Sequence, residues 1–149
     1  MKKTFLLALM ACTFLTQSCS SEESEPLSVI GAWKVSKQVI LSGEDGTVLD
    51  TYTPSGCMVD DTIEFKENYT FLNSLYGGTG GTCSLEDLKM GTYNYNPNTN
   101  LLGIKYDGDA NTKILTVTKL TETEIEAYTY EADHNNDGID DKFVTYYYR

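Results

Sequence analysis

The sequence predicts an all-β domain, an eight-stranded antiparallel barrel in up-and-down order. Three observations predict it. Short runs rich in Thr, Tyr, Val and Ile recur at roughly 8 to 12 residue spacing, separated by clusters of Gly, Asn, Asp and Pro. Alternation marks half-buried strands, as in EIEAYTYE, where Ile125, Ala127 and Thr129 face one way and Glu124, Glu126, Tyr128 and Tyr130 the other. Finally, the links between runs are short, which makes neighbours in sequence neighbours in space and favours up-and-down order over a Greek key.

In chain order the predicted strands are Ala32–Leu41, Thr62–Lys66, Tyr69–Tyr76, Gly91–Asn96, Asn100–Tyr106, Lys113–Leu120, Glu124–Glu131 and Lys142–Tyr148. Local turn chemistry joins them: KENYT links the second and third, NPNTN the fourth and fifth, and LTETE the sixth and seventh. A ninth candidate, Val48–Thr53, lies inside the long segment Ser42–Asp61, which reads as a lid-like loop over one barrel end, pinned by Cys57. The other long connection is GGTGGTCSLEDLKMG, whose Ser84–Met90 portion is expected to make one helical turn.

Ahead of the barrel stands MKKTFLLALMACTFLTQSCSSEESE. Lys2 and Lys3 precede an apolar run from Phe5 to Leu15 that is too short to span a bilayer and has the charged and apolar regions of a secretory signal. Ser18 followed by Cys19 resembles the lipobox of bacterial lipoproteins, with Thr16 where such boxes usually carry Leu. That resemblance implies cleavage before Cys19 and its acylation, hence a lipid anchor in the outer membrane; the plain alternative is secretion with Cys19 incidental. The polar stretch that follows cannot build a core and reads as a flexible acidic tether, or equally as a surface-export signal. The resulting division is residues 1–18 signal peptide, 19–27 tether and 28–149 barrel domain.

Charge excludes some partners. Losing residues 1–18 removes Lys2 and Lys3 and no acid, so the formal charge of −11 becomes −13. Nucleic acid and anionic membrane surfaces both need a basic footprint, and none is present. The 149-residue chain holds four cysteines, and Cys12 leaves with the signal while Cys19 takes the lipid. Cys57 and Cys83 remain in an oxidising compartment, where a disulfide between them is the expected outcome. Neither lies in a CxxC motif, which argues against a redox pair or a metal site.

The motifs GAWKV, CMVDDTIEFKENYTF, a further cysteine, GTYNYN and LTVTKLTETEIEAYTY, in that order, resemble the lipocalin-like domain of small Bacteroidetes lipoproteins over nearly all of the chain from Leu27. The resemblance implies a lipocalin-like barrel with Gly31 and Trp33 as its G-x-W, the Trp closing the barrel floor. Tyr69 stands where the family often has Gly, and no Arg is expected inside the last strand to stack on Trp33, Arg149 being the final residue.

Candidate chemistry is sparse. Trp33, the sole tryptophan, reads as core. Asp60 and Asp61 suggest a carboxylate pair, yet adjacent strand residues point to opposite faces, so one is expected to cap a turn or face solvent. The only histidine, His134, sits in an acidic loop, which leaves nucleophilic triads without a positioned base and predicts a protein with no catalytic residues. That loop, EADHNNDGIDDKF, aligns Asp133, Asn135, Asp137, the Ile139 carbonyl and Asp141 with the first nine positions of a calcium loop. Val144 stands where a closing Glu belongs, and strands flank the loop, so the choice lies between a weak structural calcium site and a polar hairpin turn. An eight-stranded barrel is just wide enough to be filled by side chains or to hold one small ligand. Two readings follow: a binding module for a small hydrophobic or glycan-derived molecule, or a filled barrel that contacts another envelope protein. A carboxylate-based hydrolase is the outsider.

Overall fold

The computed structural model describes residues 27–78 and 81–149. The leader, Cys19 and the tether as far as Pro26 lie outside the described residues. The elements are β1 (Gly31–Leu41), β2 (Val48–Tyr52), a 3-10 turn η1 (Gly56–Asp60), β3 (Thr62–Phe65), β4 (Thr70–Gly77), β5 (Ser84–Asn96), β6 (Leu101–Tyr106), β7 (Lys113–Leu120), β8 (Glu124–Tyr130) and β9 (Lys142–Tyr148).

Strands β1 and β3 to β9 form the expected eight-stranded barrel: each pairs antiparallel with the next, and β9 closes on β1. Closure depends on β1 serving two partners. One edge pairs Lys34–Leu41 with β9, through a bulge that leaves Ser36 unpaired; the other pairs Gly31–Trp33 with β3 and, higher up, Gln38–Leu41 with β2. The bulge bends the strand as closure requires.

The segment Ser42–Asp61 is not a lid. Residues Val48–Tyr52 pair with β1 as an exposed outer strand, and η1 then fills the side wall between β1 and β4. Cys57 in η1 is bonded to Cys83 just ahead of β5, with Cα atoms 5.3 Å apart, so the expected disulfide staples the wall and not a cover.

Ser84–Met90 is also not helical. It is the upper half of β5 and pairs with β4, Leu72↔Met90 to Gly77↔Ser84. Because β6 begins its pairing only at Gly91, this half has a strand on one side alone and stays exposed on both faces. Its SLEDLK sequence therefore lacks the alternation of a half-buried strand.

The lower half of the interior is packed solid. Trp33, Phe65, Phe71, Tyr93, Ile125 and Ala127 form its centre, with Val29, from before β1, plugging the bottom. Phe65 and Tyr93 meet edge to face at 4.8 Å, and Tyr93 donates its hydroxyl to the Lys66 carbonyl at 2.8 Å. Gly91 makes room for this packing: a Cβ there would lie 2.1 Å from the Lys105 carbonyl and 2.7 Å from Phe71.

Candidate functional site

Two constellations decide what the barrel does: the floor and the cavity above it. At the floor, Trp33 is fully buried, and its indole Nε1 donates to the Val29 carbonyl at 2.7 Å, so the ring is core, as its position on an apolar strand start implied. No Arg stands inside the last strand, as expected, yet one stacks on the ring from beyond it. The Arg149 guanidinium lies 4.2 Å from the Trp33 ring, Nη1 donates to the Ile30 carbonyl at 2.6 Å, and Nε donates to the Glu122 carbonyl. Arg149 follows β9 and is therefore not in the strand interior; it folds under the barrel end, a position that strand alternation does not describe. Gly31 makes the approach feasible. Its φ of +123° suits glycine, and a Cβ on it would fall 2.4 Å from Arg149 Nη1.

At the KENYT turn, Tyr69 adopts φ 62°, the left-handed conformation that glycine takes most readily, and Asn68 Oδ1 accepts from the Thr70 hydroxyl at 2.7 Å. The Tyr69 ring leans on Tyr93, centroids 6.1 Å apart.

Above the packed half the interior is hollow. The cavity has a volume of about 460 Å³. Trp33, Val35, Ile63, Ile104 and Leu115 give it an apolar lower wall, and Phe143 and Leu75 stand higher. Its polar residues are Gln38, Asp61, Thr62, Asn73, Tyr106, Lys113, Thr129, Glu131, Thr145 and Tyr147. Lys113 and Glu131 form an ion pair at the solvent-exposed rim, 52 % and 38 % accessible respectively, so the cavity opens at this end. Such an exposed pair contributes about 0.2–1 kcal/mol. Deeper, burial pushes the Tyr147 phenol up to about 12, and Tyr106 beside it adds to the effect. Burial also holds the phenols of Tyr93 and Tyr95 above their ordinary value. Within the segment Ser42–Asp61 only Asp61, at its end, lines the cavity, so the segment does not cover it.

The other candidate groups separate. Asp60, the last residue of η1, pairs with Lys34 at 3.2 Å, whereas Asp61, between η1 and β3, accepts the Tyr76 backbone N–H through Oδ1 at 2.7 Å and lines the cavity, so the two carboxylates diverge because the 3-10 turn ends between them. The His134 ring packs on Phe143, centroids 4.9 Å apart. In the acidic loop, Asp133 accepts from the N–H groups of Asp137 and Gly138, and Asp137 from that of Ile139. Asp141 turns away from that cluster: fully buried, it accepts the Gly43 N–H at 3.0 Å and the His134 N–H at 2.6 Å, tying the loop to the turn after β1. Among the described residues no cluster of three His, Cys, Asp or Glu side chains is arranged to hold a metal.

Lys113 and Glu131 had not been singled out as site residues. The signal lay in the alternation: Leu115 and Val117 continue back to Lys113, and Ile125, Ala127 and Thr129 continue forward to Glu131.

A closed antiparallel barrel, packed at one end and hollow at the other, defines a cup-shaped β-barrel protein. Residues 29–127 match the model of the lipocalin-like domain family, and the chain belongs to that family. Among solved structures, a bovine lipocalin allergen, Bos d 2, is 17% identical, covering 80% of this chain and 71% of its own at a TM-score of 0.40. A dog lipocalin allergen is 16% identical, with 82% and 74% covered and a TM-score of 0.41. Aphrodisin, a sex pheromone from female hamster, is 14% identical, with 82% and 75% covered and a TM-score of 0.38. No curated protein matches. The family match ends at residue 127, so the acidic loop, β9 and Arg149 lie beyond it.

Proposed function

We propose that this chain is a cell-envelope lipoprotein, anchored in the outer membrane through Cys19, whose barrel binds a small hydrophobic or glycan-derived molecule without transforming it. The single observation that supports binding is the cavity of about 460 Å³ over an apolar floor. Its size falls in the range of roughly 300–1,000 Å³ usual for small-molecule sites, with a polar upper ring above an apolar wall. Mass spectrometry of molecules that co-purify with the chain tests the reading: a stoichiometric amphipathic ligand is expected, and an apo protein that takes up no amphiphile in titration refutes it. For the anchor, the mature protein is expected in the detergent phase of a phase partition, and unmodified Cys19 in the aqueous phase refutes it.

One observation favours the second reading, contact with another envelope protein. Strand β2 is an exposed sheet edge carrying Val48 and Leu49, and such edges accept a further strand. Loss of a partner on Val48→Lys substitution would support that reading.

We propose calcium as a loop ligand held through Asp133, Asn135, Asp137 and the Ile139 carbonyl, with Asp141 serving the fold instead. Calorimetric titration of the metal-free protein is expected to give heat only at millimolar calcium, and none in Asp137→Ala. Loss of that heat in Asp141→Asn with the fold intact would overturn the division of roles.

A further inference from the structure

The polar ring of the cavity has a sign, and it carries the ligand assignment further. Among its charged residues, two carboxylates, Asp61 and Glu131, face one ammonium, Lys113, which is already paired with Glu131 Oε1. Each amide of the ring spends one of its two N–H donors inside the protein. Gln38 Nε2 donates to Thr145 Oγ1 at 3.3 Å, and Asn73 Nδ2 donates to Tyr106 Oη at 3.1 Å. Hydroxyls of Thr62, Tyr106, Thr129, Thr145 and Tyr147 donate as readily as they accept, so the sign of the ring comes from its two carboxylates. Asp61 gives one oxygen to the Tyr76 N–H, and its second oxygen, the second oxygen of Glu131 and the amide oxygens of Gln38 and Asn73 meet no protein donor among the described residues. These are not buried and starved, since no inaccessible side-chain N or O atom among the described residues lacks a partner. Their free lone pairs belong to groups that line the open cavity.

We propose that the cavity selects an organic cation, an amine-type head carried on an apolar body. This rests on the reading that the cavity binds a ligand at all. An ammonium brings several donors, a positive charge and no acceptor, which matches the second oxygens of Asp61 and Glu131. Its hydrogen bonds to carboxylate are charge-assisted and about twice as strong as neutral ones. A carboxylate head meets the opposite situation: the ring's one cation is committed to Glu131, and Asp61 repels it. The apolar body then lies against Ile63, Ile104 and Leu115. At long range the formal charge of −11 acts in the same sense, concentrating cations around the chain.

Three probes of one chain length separate the possibilities: decylamine, decanol and decanoate, titrated into the folded protein near neutral pH by calorimetry and by emission of Trp33. Decylamine is expected to bind about tenfold tighter than decanol, with decanoate weakest, a tenfold step corresponding to about 1.4 kcal/mol. Asp61→Asn keeps an oxygen for the Tyr76 N–H and is expected to shrink the ratio of decylamine to decanol affinity about tenfold. Lys113→Gln, at the exposed rim, is expected to raise that ratio. Decanoate binding as tightly as decylamine, or a ratio that neither substitution moves, overturns the cation assignment while leaving ligand binding intact. If none of the three probes gives heat or alters Trp33 emission, the binding function falls with it.

Discussion

Arg149→Ala tests whether the barrel floor is held by its last residue. The guanidinium covers the Trp33 ring at 4.2 Å and donates to the carbonyls of Ile30 and Glu122, which belong to opposite ends of the chain. A cation over an indole contributes about 0.5–2 kcal/mol depending on desolvation. The two charged hydrogen bonds add to it, discounted because Arg149 is itself exposed and water replaces part of what is lost. The expected destabilisation is about 2 kcal/mol, read as a fall in Tm of roughly 6–10 °C for a domain of this size. Thermal unfolding followed by circular dichroism measures it, and Trp33 emission should shift to the red as the ring face meets water. Gly31→Ala supplies the second arm of a cycle. Its Cβ would displace Arg149, so part of its cost should vanish in the Arg149→Ala background, leaving the strain of φ +123°. Interaction energies of about 0.5 kcal/mol or more are resolvable in such cycles. An Arg149→Ala protein within about 0.5 kcal/mol of wild type, or strict additivity with Gly31→Ala, refutes the reasoning.

Replacing Cys57 and Cys83 together by Ser reopens a loop with a sequence separation of 26 residues, and chain entropy predicts a loss of roughly 3–4 kcal/mol in denaturant unfolding; an unchanged midpoint would mean that the wall needs no staple. Asp141→Ala leaves the N–H groups of Gly43 and His134 without their acceptor and should cost about 2–4 kcal/mol by the same measurement. Alkali should destabilise the fold before it ionises the interior. Tyr147 titrates at about 12 in the folded state against an ordinary 10, and burial raises Tyr93 and Tyr95 in the same direction. Between those values the unfolded chain binds fewer protons, so stability is full below pH 10 and declines as pH rises through 12, Tyr147 alone accounting for about 2–3 kcal/mol. Tyr147→Phe should flatten the pH dependence of denaturant stability over that range, and an unaltered slope would refute the assignment.

Strand periodicity made most of the barrel legible. The ranges of β7 and β9 agree with the expected strands to the residue, because KILTVTKL and KFVTYYY carry β-formers between polar turns. Ser84–Met90 was misread because an edge with exposed faces obeys no alternation, and its register comes from β4 and the Cys83 staple. The segment after β1 was misread for a related reason: β2 is exposed at every position and carries no core signal. The cavity was not legible at all. Whether inward residues fill a barrel depends on how far opposite walls stand apart, and that distance emerges only when β1 closes on β9 through its bulge. Arg149 was missed because its contacts run to Ile30 and Trp33, more than a hundred positions away in sequence.

The uneven interior also bears on how such a chain changes over generations. Packing between Trp33, Phe65, Phe71 and Tyr93 supplies cohesion at one end, so substitutions around Asp61, Asn73 and Glu131 at the other tax the fold little. Descendants of this barrel can therefore reshape its mouth by single steps, each intermediate still a folded protein, while the floor drifts slowly.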